Sequence, residues 1–512
     1  MHTNLLDYLE VTSKRVPDRT AVIDGDRNIS FLDLSEDAKK LSAIINQKIN
    51  GIIRKPIAVL LDKQIESIVA DIAIIFSGNA YMNLDTRTPV QRISNIIELI
   101  EPELIITNTK YMPKLEAIWP SEKILNIEQI DFRNESYSQD LLDNVLGRII
   151  DTDPLCIINT SGSTGVPKGV ILNHRSFIDF TEWAIHTTGI SDSEVIGSLS
   201  PSVFDIYSFE LCMLMALGST ILILPDGLSA FPARLLTLLQ ENKVTFIFWV
   251  PTIMVNIANM DLLSRISLPS LKSVWFAGEV FPTKQFNYWR KYLKQVRFIN
   301  LYGPIEITLD CTYYIVDREL SDDEPIPMGV ACKNTDVFIL NEEDKLCGVN
   351  QEGELCVRGT SLAMGYYNNP EKTAAAFVQN PLNHSYPEII YRTGDIVVEN
   401  NIGEFIFKGR KDSIIKHSGY RIELGEIEHV IINTLKLVKN GCVVYNPDRK
   451  ELIFYYESDK DITVADFRSH IGTVLPKYMI PHVYKRFEEL PRNTNGKIDR
   501  QKLKELMSSV EF

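Results

Sequence analysis

The sequence predicts an α/β protein built in layers, with a small β-barrel-like subdomain and a small α+β domain toward the C-terminus. Three observations predict it. Short apolar runs alternate with amphipathic stretches as far as about residue 320, the pattern of largely parallel sheets with helices packed between them. After that point the runs shorten and lie between Gly-rich turns. Past a basic stretch at residues 409–412 enough chain remains for a separate small domain.

The elements follow in order. Residues 57–61 and 104–107 are continuous apolar runs and read as buried strands, with 64–76 as the helix between them. Residues 155–158 read as a further buried strand. The runs 220–224 and 244–249 bracket a helix at 232–241, and a helix at 283–293 leads into the apolar-aromatic strand 296–301. Residues 354–358 and 404–408 are the shorter strands of the barrel-like part. The domains are 1–409 and 410–512, the second with two helix-like stretches and several short strands. No internal repeat, low-complexity tract or Pro/Ser-rich linker interrupts the chain.

Bulk properties exclude several classes. The chain has 512 residues, 45% of them hydrophobic, and a formal charge of −14 spread along its length. That balance argues against a nucleic-acid groove or an anionic membrane surface, though an acidic partner could still dock on a local basic patch. No apolar run is long enough to cross a membrane, and the N-terminus lacks the basic and apolar regions of a signal peptide. The seven cysteines form no CxxC pair and read as free buried thiols of a cytoplasmic protein.

The stretch Thr160-Ser161-Gly162-Ser163-Thr164-Gly165-Val166-Pro167-Lys168-Gly169 is the densest in chemistry. Glycines let backbone amides approach a polyphosphate, hydroxyls donate to it, and Lys168 adds a charge-assisted bond. It is not a P-loop: Pro167 stands where the second glycine of that motif is needed. Further along, Tyr302, Gly303 and Glu306 follow a strand end, where a carboxylate suits Mg²⁺ and a ring suits a purine. Asp395, in Arg392-Thr393-Gly394-Asp395, puts two acceptor oxygens on a tight turn, the pattern that takes paired hydroxyls. Arg410 and Asp412 flank the domain boundary, and Lys497 sits in a turn near the C-terminus. Singly, each also has a bland reading: a flexible loop, a β-turn, a turn carboxylate, a charged surface and a solvated lysine.

Together, in this order and spacing, the motifs resemble those of the adenylate-forming superfamily: acyl-CoA synthetases, luciferases and the amino-acid adenylation domains of nonribosomal peptide synthetases. The resemblance runs from about Phe31 to Lys497. It implies a large N-terminal domain of layered mixed sheets and a small, mobile C-terminal one that swings about a hinge at Asp412. It implies ATP with Mg²⁺, the β- and γ-phosphates on residues 161–168, adenine near Tyr302, Mg²⁺ on Glu306, and ribose on Asp395 supported by Arg410. Lys497 would bridge substrate carboxylate and α-phosphate. Ile305 departs from the family, which usually has threonine there.

The substrate is read from Asp205, whose counterpart in the amino-acid branch pairs with the α-ammonium. Asp205 otherwise reads as a helix cap. Carried over position by position, the pocket is Ile206, Phe209, Phe248, Trp275, Ala277, Leu301, Leu309 and Asp310. This lining suits a small or medium apolar amino acid. Asp310 either reads a basic side chain or turns to solvent or a backbone amide. Residues 277–282 resemble the matching segment of D-alanine–carrier protein ligase, which has cysteine at the position of Ala277. No carrier-protein or condensation motif follows Lys497, so the expectation is a free-standing ligase or an excised domain, with a phosphopantetheine carrier protein supplied in trans. The alternatives are an acyl- or aryl-CoA ligase and a non-catalytic protein that binds nucleotide or carrier.

Overall fold

The computed structural model describes residues 2–161, 167–225, 227–411, 414–417, 419–458, 462–492 and 498–508. The chain forms two compact units, one of residues 1–86, 100–158 and 169–411, the other of residues 87–99, 159–168 and 412–512.

Two large sheets organise the first unit. A seven-stranded sheet has its strands in the order Gly365–Tyr366, Lys168–Asn173, Pro154–Thr160, Ala80–Asn83, Pro56–Leu60, Leu104–Thr107, Ile124–Asn126. Its centre is parallel, with Ile57 opposite both Tyr81 and Leu104. Parallel neighbours need a crossover, and helix Ile65–Phe76 supplies one. That helix is apolar almost throughout and buried over its whole length, as a helix packed on several sides must be.

The second sheet has nine strands: Val330–Ala331, Thr312–Ile315, Arg297–Tyr302, Ser273–Phe276, Phe246–Trp249, Val195–Ser198, Thr220–Ile223, Thr20–Asp24 and Arg27–Ser30. It is parallel from Arg297–Tyr302 to Thr20–Asp24 and antiparallel at both edges. Alternation along its strands divides the core in two. Phe246, Phe248, Trp275, Ala277, Ile299 and Leu301 pack on one face. Ile247, Trp249, Val274, Phe276 and Phe298 pack on the other.

The barrel-like part is a five-stranded antiparallel sheet around the long strand Ile389–Glu399, which pairs with Gly353–Gly359, Phe377–Gln379 and Phe405–Arg410. The strands and helices predicted from the apolar runs all appear, with ends differing by at most two residues. For example, the strand expected at 244–249 starts at Phe246.

In the second unit, strands Asn440–Asn446, Glu451–Glu457 and Val483–Phe487 form a mixed sheet. A hairpin of Ile414–His417 with Tyr420–Glu423 leads into helix Leu424–His429. Helix Val464–Ile471 starts on a reciprocal Thr463/Asp466 capping box. Ile427, Ile431, Phe454 and Phe467 centre the core. This is the α+β composition expected after residue 410. All seven cysteines are free and all but Cys347 are buried. Among the described residues no helix is long and apolar enough to cross a membrane.

Candidate active site

Asp395 is the best-braced carboxylate among the motifs. It does not sit on a turn between strands, as expected, but in a bulge inside strand Ile389–Glu399. Glu354 pairs with Ile396 and Cys356 with Arg392, so three residues bow out opposite Leu355. Gly394 takes φ +72°, which a side chain would resist, and Thr393 anchors the bow by donating to the Leu355 carbonyl at 2.8 Å. Arg410 is directly opposite Asp395 on the next strand and donates to Oδ1, while Tyr302 donates its hydroxyl to Oδ2. Burial, followed by the neighbouring Asp395 carboxylate, pushes the Tyr302 phenol well above its ordinary range. Each Asp395 oxygen keeps a further lone-pair site, enough for a pair of ribose hydroxyls.

Glu354 was not singled out from the sequence. Its buried carboxylate accepts from the Gly394 amide at 3.0 Å, from Arg392 at 3.0 Å and from Lys411 at 3.3 Å, bracing the bulge from beneath. The only sequence signal is an acid at the inward position of an otherwise apolar strand.

Glu306 lies in the short helical turn Ile305–Ile307, fully buried, and accepts from the Tyr366 hydroxyl at 2.8 Å. Tyr366 was likewise missed. Gly303 packs so closely that a β-carbon there would lie 2.2 Å from the Leu309 carbonyl oxygen. Thr308 and Leu309 follow with φ of +54° and +65°, two consecutive non-glycine residues in the left-handed region. Such strain persists only where the surroundings enforce it.

Three of the residues expected to line a substrate pocket form a buried aromatic cluster. Phe209 stacks on Trp275 with centroids 5.5 Å apart, and Phe248 meets Trp275 edge-on at 5.7 Å. Behind them Phe180 touches Phe209 and Trp183 touches Trp275, two residues the sequence did not flag. Phe248 and Trp275 pair across neighbouring strands, and Leu301 and Ala277 lie on the same sheet face. Asp205 opens helix Asp205–Leu217, where the Ile206 amide donates to it at 3.0 Å. Ile206 is half-buried, and Leu309 is buried. Asp310 is also buried, at 3% exposure, which corrects the solvent-facing option.

The glycine-rich stretch belongs to the other unit. Thr160 is buried, and neither its hydroxyl nor the two buried side-chain polar atoms of neighbouring Asn159 have a hydrogen-bond partner among the described residues. Unmet buried donors beside a phosphate-type loop fit an anionic ligand. The Ser161 hydroxyl is engaged, donating to the Arg421 carbonyl at 2.9 Å and accepting from the Glu423 amide at 3.0 Å. Lys168 begins strand Lys168–Asn173. Gly162, Ser163, Thr164, Gly165, Asp412 and Lys497 lie outside the described residues.

Among the described residues no cluster of three or more His, Cys, Asp or Glu could hold a metal ion by itself. Mg²⁺ commonly takes one or two carboxylates plus substrate phosphates, so a single Glu306 fits that mode.

Residues 9–367 match the family model described as AMP-binding enzyme. The chain belongs to that family. Zwittermicin A synthase ZmaJ of Bacillus cereus is 30% identical over 98% of this chain and 95% of its own length. Tyrocidine synthase 1 of Brevibacillus parabrevis is 30% identical over 97% of this chain, which spans only 44% of that protein. Among solved structures, the Vibrio cholerae adenylation domain AlmE, in complex with glycyl-adenosine-5'-phosphate, superposes with a TM-score of 0.84 at 21% identity, over 100% of this chain and 98% of its own. Family members with this fold carry a large N-terminal and a small C-terminal domain, the architecture the sequence predicts.

Proposed function

We propose that this AMP-binding enzyme is an amino acid–carrier protein ligase. An amino-acid carboxylate oxygen attacks the α-phosphorus of ATP; that bond forms as the bond to pyrophosphate breaks, giving aminoacyl-AMP. The thiol of a separate carrier's phosphopantetheine then attacks the acyl carbon, AMP leaves, and a thioester remains.

The single observation that carries the amino-acid reading is Asp205 at the start of a helix whose next turn places Phe209 against Trp275. A carboxylate there pairs with an α-ammonium and rejects an acid lacking it. The closeness of Phe209 to Trp275 supports a small or medium apolar side chain.

In this reading Asp395, held by Arg410 and Tyr302, accepts the ribose hydroxyls. Thr160, residues 161–165 and Lys168 grip the phosphates. Glu306 would hold Mg²⁺, which supplies charge neutralisation at the phosphates. Lys497 screens the repulsion between carboxylate and α-phosphate and stabilises charge in the transition state. The boundary at 409/410, the hinge at Asp412 and a cytoplasmic location belong to the same proposal.

Amino-acid-dependent ATP–pyrophosphate exchange tests it, run over the proteinogenic amino acids, D-alanine, ornithine and several aryl and fatty acids. A sharp signal with one apolar amino acid supports the proposal, and Lys497→Ala should then abolish exchange while ATP still binds. A basic winner assigns Asp310 the side-chain contact. Signal only with non-amino acids overturns the role of Asp205, and silence with ATP bound makes the chain a non-catalytic binder.

A further inference from the structure

Helix Asp205–Leu217 is buried on every side: residues 207–215 are all buried. A helix buried on every side has no solvated face to set its rotation about its own axis. Directed bonds do so here. The Tyr207 hydroxyl donates to Asp71 Oδ2 at 2.7 Å, and Asn83 donates to the same oxygen at 3.0 Å. Ser208 Oγ accepts from the Tyr81 hydroxyl at 2.8 Å. Glu210 accepts from Ser198 Oγ, and Lys63 Nζ reaches the Ser198 and Ser200 carbonyls at 2.8 Å each. Asp71, Tyr207, Ser198 and Glu210 are wholly buried.

The angular positions are informative. At about 100° per residue, positions 207, 208 and 210 spread over about 160° of the helix surface. Asp205 and Phe209, four residues apart, share the opposite side. The helix is therefore gripped from three directions on the side away from Asp205 and Phe209. Any roll that broke these bonds would carry Asp205 and Phe209 with it.

Asp71 Oδ1 and Glu210 Oε1 have no hydrogen-bond partner among the described residues. Burial pushes both carboxyl groups up to about 7. Both therefore hold protons readily near neutrality, which lowers the cost of keeping them in the core.

We infer that Asp71, Tyr81 and Ser198, acting on Tyr207, Ser208 and Glu210, are positioning residues that set the rotation of this helix and so aim Asp205 and Phe209 at the amino acid. The inference rests on the proposed role of Asp205.

The test is exchange kinetics on the whole protein, with the amino acid the panel selects and with its desamino carboxylic acid. Tyr207→Phe and Ser208→Ala each remove one hydroxyl. Each is expected to raise KM for the amino acid about tenfold, the worth of one buried hydrogen bond, and to lower the preference over the desamino acid. KM for ATP should not move. Asp71→Asn, which keeps an acceptor, should stay near wild type, whereas Asp71→Leu should behave like Tyr207→Phe. Ile74→Val trims the same core without touching the set and serves as the stability control. An unchanged preference in Tyr207→Phe and Ser208→Ala, or amino-acid and ATP constants that rise together as in the control, overturns the inference. Asp205→Asn separates the two ideas. If it destroys the amine preference while Tyr207→Phe and Ser208→Ala do not, only the positioning role falls. If it leaves the preference intact, the role of Asp205 falls and the inference with it.

Discussion

Gly303→Ala is the sharpest test of how the Tyr302–Asp395 contact and the Leu309–Asp310 loop of the first unit are joined. Gly303 directly follows Tyr302, which bonds Asp395, and packs under the loop that presents Leu309 and Asp310. A β-carbon at 303 would lie 2.2 Å from the Leu309 carbonyl oxygen and 2.5 Å from Asp310 Cα. Comfortable contacts begin near 3.5 Å, so the two backbones must part by about 1 Å. Neither side yields cheaply, because both obstacles are backbone and Thr308 and Leu309 already sit at φ +54° and +65°. Overpacking of this kind costs about 1–3 kcal/mol of stability. The displaced loop belongs to the proposed pocket, and a shift of about 1 Å there lowers kcat/KM by up to about 100-fold. Denaturant unfolding reads the first quantity and ATP–pyrophosphate exchange the second, with KM for the amino acid rising more than KM for ATP. A variant within about 0.5 kcal/mol of wild type with unchanged kcat/KM would refute the packing argument.

Two further outcomes are expected. Glu354→Gln leaves Arg392 and Lys411 without their shared carboxylate and loosens the Asp395 bulge; stability should fall by about 1–3 kcal/mol, with a raised KM for ATP, both read by thermal melting and exchange kinetics. His174 is buried and accepts from the Leu5 amide at 3.3 Å; burial depresses its pKa from 6.5 to about 4. The neutral imidazole therefore supports the fold above pH 6.5, and that support drains away as pH falls toward 4, a loss on the order of 3 kcal/mol. His174→Gln should flatten the decline across that window in unfolding curves compared with wild type, and an equally steep decline in the variant would exclude the assignment.

Much of this fold was legible as pattern. Continuous apolar runs such as 104–107 mark strands buried on both faces, and helix 232–241 was read to its exact ends because its periodicity is local. The motif residues were visible for the same reason: a glycine-rich loop, a Tyr-Gly-Pro turn and an Arg-Thr-Gly-Asp tetrad are short and chemically unusual. The error at Asp395 is instructive. Arg-Thr-Gly-Asp looks like a turn from within the tetrad, and only the partner strand, with one residue opposite three, makes it a bulge.

The α/β class, the element order and the family could all be read along the chain, since each depends on neighbours close in sequence. That Glu354 braces the Asp395 bulge, that Tyr366 bonds Glu306, that Phe180 and Trp183 pack on Phe209 and Trp275, and that Asp71 reaches Tyr207 emerges only in three dimensions. A buried polar group must find its partners wherever the fold brings them, and here one of the two partners of Asp71 lies 136 residues further along the chain.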